Sequence, residues 1–171
     1  MKNAVPPFLL VILCLACVAC SSTIYVVRHA GRAAPTASTG NNVTLTPEGF
    51  QRSFVLKDTL KNKGIKAVYT TNYTRTIQTA APTCQQFGLA HVLYNNGDSL
   101  LAALINQRGK SSLVVGHSNT VPQMLRHAGL APSFSGDIAD NDFDNLFIIK
   151  INWGFSKRMR LLETTYGAPS P

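Results

Sequence analysis

The segment Thr23-Ile24-Tyr25-Val26-Val27-Arg28-His29-Ala30-Gly31 joins a short apolar run to two polar side chains. Its first five residues are β-branched or aromatic, which predicts a buried strand. Arg28 and His29 follow at the point where this strand ends. Residues 31–44 are rich in Gly, Ala, Pro, Thr, Ser and Asn, which is typical of a loop. The segment therefore predicts that a strand delivers a guanidinium and an imidazole to one edge of a sheet.

Strands and helices alternate along the chain after this first strand. Thr46 is a predicted helix cap, and Pro47 suits the first helical position. Gly64, Gly88 and Gly129 are typical of helix ends. The predicted strands are 23–27, 65–69, 89–94 and 113–115, and the predicted helices are 47–63, 74–86, 99–107 and 121–127. This alternation predicts a three-layer α/β/α fold with a mostly parallel central sheet.

The last third of the sequence has a different pattern. Residues 137–144 form an acidic turn, and residues 145–153 (NLFIIKINW) form an apolar strand. A further strand is predicted over 159–162, joined to the previous one through Gly154. Because so short a connection suits antiparallel neighbours, the sheet is expected to end in an antiparallel C-terminal edge.

Polar side chains follow three of the predicted parallel strands. Arg28 and His29 follow the first strand, Arg75 lies just beyond the second, and His117 follows the fourth. The carboxyl ends of parallel strands share one edge of a sheet, and ligands bind in the crevice there. The sequence therefore predicts that two imidazoles and two guanidiniums converge on one site, although each of them alone is a weak signal.

Four segments carry a family resemblance. Residues 28–31 (RHAG) resemble the R-H-G/A signature of the histidine phosphatase (phosphoglycerate mutase-like) superfamily, and residues 45–49 (LTPEG) resemble its L-T-x-x-G motif. Residues 69–80 are similar to its third motif, and residues 114–117 (VVGH) to its final G-H motif. The resemblance covers roughly residues 23–130, and the short chain is most similar to the SixA-like branch.

The resemblance implies a chemical role for each of these residues. His29 becomes the nucleophile that accepts a phosphoryl group, and Arg28 and Arg75 clamp its oxygens as planar bidentate donors. His117 is a further donor to the developing negative charge, and Asn119 is a candidate lining residue. Neither a metal nor a cofactor is expected. The positive groups should also depress the pKa of His29 and keep it nucleophilic.

The proton donor to the leaving group is the weakest part of the resemblance. In the phytase branch the donor is an Asp directly after the second His, where this sequence has Ser118. In the mutase branch it is a Glu on the segment after the third motif, and the resemblance makes Asp98, the one carboxylate within residues 81–116, the candidate for that acid. The competing interpretation makes Asp98 the N-cap of the helix that begins near Ser99. A general acid contributes roughly 10²–10⁴-fold, so a weak acid signal favours leaving groups that need little help. His91 and His127 match no motif and are expected to be structural or surface residues.

Composition restricts the classes of protein and partner. The chain has 171 residues, 45% of them hydrophobic and 14% charged, with a net charge of +8. It has room for one domain with a core, and its pattern excludes collagen, coiled coil and a polytopic membrane protein. The excess of cations favours anionic partners. A nucleic-acid partner is disfavoured, because aromatic and basic residues do not alternate. Lys57, Lys61, Lys63 and Lys66 are expected to be solvated or to oppose anionic lipid.

The N-terminus is typical of an export signal. Residues 8–19 form an uncharged apolar run that is too short to span a membrane comfortably. Residues 18–22 (VACSS) resemble a bacterial lipobox, which predicts a signal peptide over 1–19, acylation of Cys20 and a single domain over 20–171. Cys17 is a second candidate for acylation, and a cleaved soluble signal or an uncleaved anchor are the alternatives. Cleavage at Cys20 leaves Cys84 as the only free thiol, so no intrachain disulfide is expected.

Together these interpretations predict an exported phosphatase, lipid-anchored in the bacterial cell envelope, that works through phosphohistidine without a metal. Its substrate is a phosphomonoester or another phosphorylated compound. The alternative is a catalytically silent lipoprotein that binds phosphate or another ligand in the same pocket. A mutase reaction is disfavoured by the short chain, and a cytoplasmic phosphorelay substrate by the leader. The oligomeric state is left open by the sequence.

Overall fold

A computed structural model describes residues 21–154 and 156–170, so the predicted signal peptide and Cys14, Cys17 and Cys20 lie outside the described residues. Six strands and four helices occur within these ranges. In chain order they are β1 (Ser21–Arg28), α1 (Pro47–Leu60), β2 (Ile65–Thr70), α2 (Thr74–Phe87), β3 (His91–Leu93), α3 (Gly97–Ile105), β4 (Ser111–Gly116), α4 (Thr120–His127), β5 (Asn145–Trp153) and β6 (Lys157–Thr165).

The six strands form one mixed sheet in the order β3-β2-β4-β1-β5-β6. The first four strands in this order are parallel to one another. Strand β5 is antiparallel to β1, and β6 is antiparallel to β5. Strand β1 is central, since it pairs with β4 on one side and with β5 on the other. The predicted parallel sheet with an antiparallel C-terminal edge is confirmed.

Successive residues of β1 pack into two different cores, because side chains alternate between the faces of a strand. Ile24 and Val26 join one core with residues of α3 and α4. Tyr25 and Val27 join the other core with residues of α1 and α2. Helices therefore cover both faces of the sheet, and the predicted three-layer architecture is confirmed. None of the helices in the described part of the chain is long and apolar enough to cross a bilayer.

Helix α1 begins where the sequence predicts and holds the loop after β1. The Thr46 hydroxyl accepts a hydrogen bond from the backbone N–H of Gly49, and Pro47 occupies the first turn. The Thr46 backbone N–H donates to Gly31 O at 3.0 Å. A Cβ on Gly49 would lie 2.0 Å from Gly31 O, so only glycine allows this contact. The LTPEG motif thus has a packing role that fixes the loop next to His29.

Candidate active site

His29 lies directly after β1 and is held by the backbone on both sides. Its N–H donates to Gly116 O of the neighbouring strand at 2.9 Å, and the N–H of Ala30 donates to the Thr79 hydroxyl at 3.0 Å. The ring Nδ1 lies 2.8 Å from Ala30 O. A carbonyl oxygen can only accept, so Nδ1 carries the hydrogen and Nε2 keeps a free lone pair. The ring thus keeps an unprotonated Nε2.

His29 is neutral at ordinary pH. Burial of the ring, with smaller contributions from Arg75, Arg28 and His117, lowers the pKa of His29 to about 3, although the bond to Ala30 O opposes the shift. The sequence analysis predicted that the neighbouring positive groups lower this pKa, and they do so, but their contribution is smaller than that of burial. Desolvation is the largest effect, because the ring sits at the end of a buried strand where only 3% of the residue is exposed.

His117 lies at the end of β4, with its ring centroid 5.5 Å from that of His29. Its Nδ1 is 3.3 Å from Arg75 Nη2, and its Nε2 is 2.9 Å from the Thr71 hydroxyl. A guanidinium only donates, so Nδ1 accepts, and the Nε2–H donates to Thr71. Burial, followed by Arg75 and Arg28, lowers the pKa of His117 to about 4. Both site histidines are therefore neutral bases in the free protein.

Arg28, the last residue of β1, is buried and fixed by the loop that precedes β5. Its Nη1 donates to Ala139 O at 2.5 Å and to Asp142 O at 2.9 Å. Its guanidinium carbon lies 4.4 Å from the centroid of the Phe143 ring, and Nη2 is 3.9 Å from the Asp140 carboxylate. The acidic turn over 137–144 is thus part of the site, because it orients one of the two predicted phosphate clamps.

Arg75, in the first turn of α2, is the second predicted clamp. Its Nη1 donates to Asn41 O at 2.6 Å, and its guanidinium lies 4.3 Å from the Tyr73 ring centroid. The Nε atoms of Arg75 and Arg28 are both buried without a hydrogen-bond partner. Neither guanidinium is therefore fully hydrogen-bonded, although these two N–H groups are closed to solvent. The two clamps are therefore held in place and keep spare donors.

The four convergent side chains line one cavity of about 590 Å³. The structure thus brings the four side chains together, as the sequence predicts. Arg32 lines the same cavity and adds a third guanidinium, which the sequence analysis did not single out. The sequence places Arg32 only four residues after Arg28, but in a loop whose path could not be predicted. Thr71, Asn72, Tyr73, Tyr94, Asn95, Ser118, Asn119, Thr120, Asp137 and Asp140 complete the lining.

Asn119 has two roles. Its side chain accepts a hydrogen bond from Thr120 N at 2.9 Å and caps α4. It also lies on the cavity wall, directly after His117 and Ser118. The structure thus places Asn119 at the site, as the sequence analysis expected, and the capping bond restricts its orientation there.

Asp98 does not line the cavity, so the structure gives no support to its predicted role as the acid. Its carboxylate lies 2.5 Å from His127 Nδ1 and 3.3 Å from Gln123 Nε2. The competing interpretation as a helix cap is wrong too, because Asn96 caps α3 by accepting from Ser99 N. Asp98 lies within the first turn of α3, which turns its side chain towards α4. The carboxylates on the cavity wall are those of Asp137 and Asp140.

The remaining candidate groups lie elsewhere. Cys84 is free and buried against the core beneath α1 and α2, and His91 and His127 are exposed. Within residues 21–154 and 156–170, no group of three or more His, Cys, Asp or Glu residues is arranged to hold a metal ion. The side chains that line the cavity include three guanidiniums and two neutral imidazoles.

Comparison with known proteins gives a family and a fold. Residues 24–97 match the family model described as histidine phosphatase superfamily, branch 1, while no curated protein matches the chain. A SixA-type structure from Agrobacterium tumefaciens has a TM-score of 0.60 at 20% identity, covering 86% of this chain and 97% of that one. The protein histidine phosphatase SixA in complex with tungstate has a TM-score of 0.62 at 18% identity, covering 84% and 96%. A mycobacterial glucosyl-3-phosphoglycerate phosphatase has a TM-score of 0.60 at 13% identity, covering 82% and 97%.

The family match spans the first three of the four motifs, and the structure brings the fourth, at His117, to the same cavity. The solved structures share the architecture over more than four-fifths of this chain. Motifs, site and fold agree: residues 24–97 match the histidine phosphatase superfamily model, and the chain has the fold of the SixA structures.

Proposed function

We propose that the protein is a metal-independent phosphatase that forms a phosphohistidine intermediate on His29. The observation that carries this proposal is the hydrogen bond from His29 Nδ1 to Ala30 O, which leaves Nε2 unprotonated in a cavity lined by arginines. A neutral imidazole beside fixed cations is suited to attack a phosphoryl group, since no proton has to be removed first.

The reaction takes place in two steps that return the protein to its starting state. In the first, the Nε2 lone pair attacks phosphorus, an N–P bond forms, and the bond to the leaving group breaks with its electron pair. In the second, water attacks phosphorus and the N–P bond breaks, which releases inorganic phosphate and restores the imidazole. Arg28 and Arg75 stabilise the charge on the phosphoryl oxygens in both steps. His117, held by Arg75 and Thr71, completes the donor set once it is protonated or reoriented by substrate.

Asp140 is our candidate for the group that protonates the leaving atom. It lines the cavity, and its carboxylate lies 3.9 Å from Arg28 Nη2, next to the phosphate clamp. Its side chain is fully solvent-exposed in the free protein, so the donor is not preorganised. Leaving groups that need little protonation are therefore the better substrates.

The relatives with this fold differ in the substrates for which they are named. One is named a protein histidine phosphatase, and another is named for glucosyl-3-phosphoglycerate. We therefore keep the substrate class as a phosphomonoester or another phosphorylated compound. A compound with a good leaving group, such as a phosphoramidate, is the preferred substrate. The tungstate bound by SixA is an oxyanion of the size that the cavity here would accept.

We also propose that the protein is exported and acylated at Cys20. The support is the uncharged run over 8–19 and the small residues around Cys20. Labelling with a radioactive fatty acid should mark the wild-type chain and the Cys17→Ser variant but not Cys20→Ser. Label that is lost only in Cys17→Ser would move the anchor to that residue. Absence of label from all three chains would contradict acylation and would favour a cleaved soluble signal or an uncleaved N-terminal anchor.

The central experiment assays the full-length chain in detergent on a panel of a phosphoramidate, an acyl phosphate and aryl and alkyl phosphates. Wild type is expected to turn over in the presence of a chelator, and His29→Ala is expected to lose on the order of 10⁵-fold or more, as nucleophile removal does elsewhere. His91→Ala is the matched control, because this exposed histidine lies outside the cavity lining. Tight phosphate binding without turnover in wild type would instead favour the binding-only lipoprotein.

A further inference from the structure

The edge of the sheet opposite the candidate site is basic. Strand register aligns Ile65, Ser111, Thr23, Lys150 and Arg160 in one row across β2, β4, β1, β5 and β6. This row crosses the amino ends of the parallel strands, whereas the site lies at their carboxyl ends. We define the basic edge as nine exposed cations that lie on this row or in the segments beside it: Lys61, Lys63, Lys66, Arg108, Lys110, Lys150, Lys157, Arg158 and Arg160.

The acidic residues are concentrated at the other end. Asp58 is the exception, because it lies near the end of α1 beside the basic edge, but it is already paired with Lys57 at 3.2 Å. Glu48 and Asp98 lie in the first turns of α1 and α3, and four aspartates lie in the 137–144 turn. The last of the eight acids, Glu163, binds Ser133. The net charge of the protein is thus unevenly distributed, with its surplus of cations on the basic edge.

Side-chain contacts hold part of this edge together. Lys157 Nζ donates to Asn106 Oδ1 at 3.0 Å, which ties β6 to the segment after α3. The Arg108 guanidinium lies 4.7 Å and the Lys157 ammonium 5.6 Å from the Trp153 ring. Trp153 itself packs against the core, so these contacts fix both cations to the folded domain.

The chain also enters the fold at this edge. Ser21, the first residue of β1, pairs with Asn152, and Asn152 pairs with Arg158. In sequence, the uncharged run over 8–19 ends just before this position. A polybasic surface that in sequence directly follows the proposed acylation site at Cys20 suits an anionic bilayer better than a soluble polyanion, because the acyl chain and the cations then act on one membrane.

We infer that the basic edge docks onto anionic lipid headgroups and directs the site cavity away from the bilayer. The two lie at opposite ends of the same strands, so the cavity would face the aqueous phase. This orientation does not depend on catalysis, and it holds whichever N-terminal cysteine is acylated. It predicts that phosphorylated compounds in solution, rather than lipid headgroups, reach His29.

The test measures partition of the full-length chain between buffer and vesicles of phosphatidylcholine, or of phosphatidylcholine and phosphatidylglycerol in equal amounts. The basic-edge variant is Lys63→Gln, Lys66→Gln, Lys110→Gln. Each cation near an anionic surface contributes about 5-fold, so the variant should bind the anionic vesicles on the order of 100-fold less than wild type. The two chains should converge at about 1 M salt, where the screening length is roughly 3 Å. Binding to pure phosphatidylcholine should be the same for both.

The matched control, Ser38→Glu, Gln51→Glu, Thr165→Glu, changes the net charge by the same amount at exposed positions outside the basic edge. It should retain most of the wild-type binding. An equal loss in the control would show that only net charge matters, and unchanged binding in the basic-edge variant would show that this surface does not touch lipid. Either result overturns the inference. It is also overturned if the basic-edge variant loses affinity for duplex DNA but keeps its binding to the anionic vesicles. Thermal unfolding checks that both variants fold.

Discussion

The two walls of the cavity are built in different ways. On one wall, His29 and His117 follow buried parallel strands, and Arg75 opens a helix, so the backbone positions all three. On the other wall, the 137–144 turn contributes Asp140, whose side chain is fully exposed. Arg28 joins them, because it ends β1 and binds the carbonyls of that turn. In the mechanism proposed above, the strand wall carries phosphoryl transfer, while the loop wall acts on the leaving group and the substrate.

The largest effect should come from the strand wall. Arg75→Ala removes a phosphate clamp and the donor to His117 Nδ1, so kcat/KM should fall by about 10²–10³-fold, as for loss of a fixed donor to a developing charge. Arg75→Lys should recover only part of it, because lysine lacks the planar pair of donors. Steady-state kinetics measures both. Arg126→Ala, which removes an exposed arginine bound to Gly136 O, is the control. Equal losses in both alanine variants would show that Arg75 has no special role.

A smaller and more selective effect should come from the loop wall. Asp140→Asn should slow hydrolysis of an alkyl phosphate by about 10²-fold, at the low end for a general acid. The rate of phosphoramidate hydrolysis should be nearly unaffected, because the leaving group of a phosphoramidate needs less protonation by the enzyme. The measurement is the ratio of the two rates.

Asp98→Asn is the matched control for this comparison, since Asp98 lies outside the cavity lining and contacts His127 and Gln123. It should change neither rate. A selective loss in Asp98→Asn alone would restore the assignment made from the sequence and would contradict the one made from the structure.

The smallest effect concerns the way in which the free energy of unfolding depends on pH. His29 has a pKa of about 3 in the folded protein and close to 6.5 when unfolded. Between these values the unfolded chain binds more protons, so the free energy of unfolding falls as pH falls. Acidification from pH 7 to 5 should therefore remove about 2 kcal/mol through His29 alone. Urea unfolding at the two pH values should show a smaller loss in His29→Asn than in wild type, whereas the exposed His91→Asn should match wild type.

The strand wall could be predicted from the sequence, and the loop wall could not. A β-branched run followed by Arg28 and His29 indicates both the strand and the place where it ends, and the same holds for His117. The partners of Arg28 are more than 110 residues away along the chain, and no local pattern predicts such a contact. The Asp98 assignment failed because spacing along the chain does not show which way a side chain in the first turn of a helix points.

Packing around α1 shows a similar limit. Thr46, Pro47 and Gly49 mark the helix start, and the structure confirms it. The sequence does not show which face is covered, because Phe50 and Phe54 are partly exposed while Ser53 is fully buried. The buried face begins with the small residues Gly49 and Ser53, and the contact of Gly49 with Gly31 holds the first turn of the helix against the loop after β1.

The most direct test of the account is to trap the intermediate. The full-length protein would be mixed with a phosphoramidate or an acyl phosphate, quenched in base, and analysed by peptide mass spectrometry and ³¹P NMR. The account predicts an acid-labile, base-stable phosphoryl group on Nε2 of His29, absent from His29→Ala and retained in His91→Ala. A phosphoryl group on His117 or on Nδ1 of His29, or turnover by wild type with direct transfer to water and no label, would contradict it.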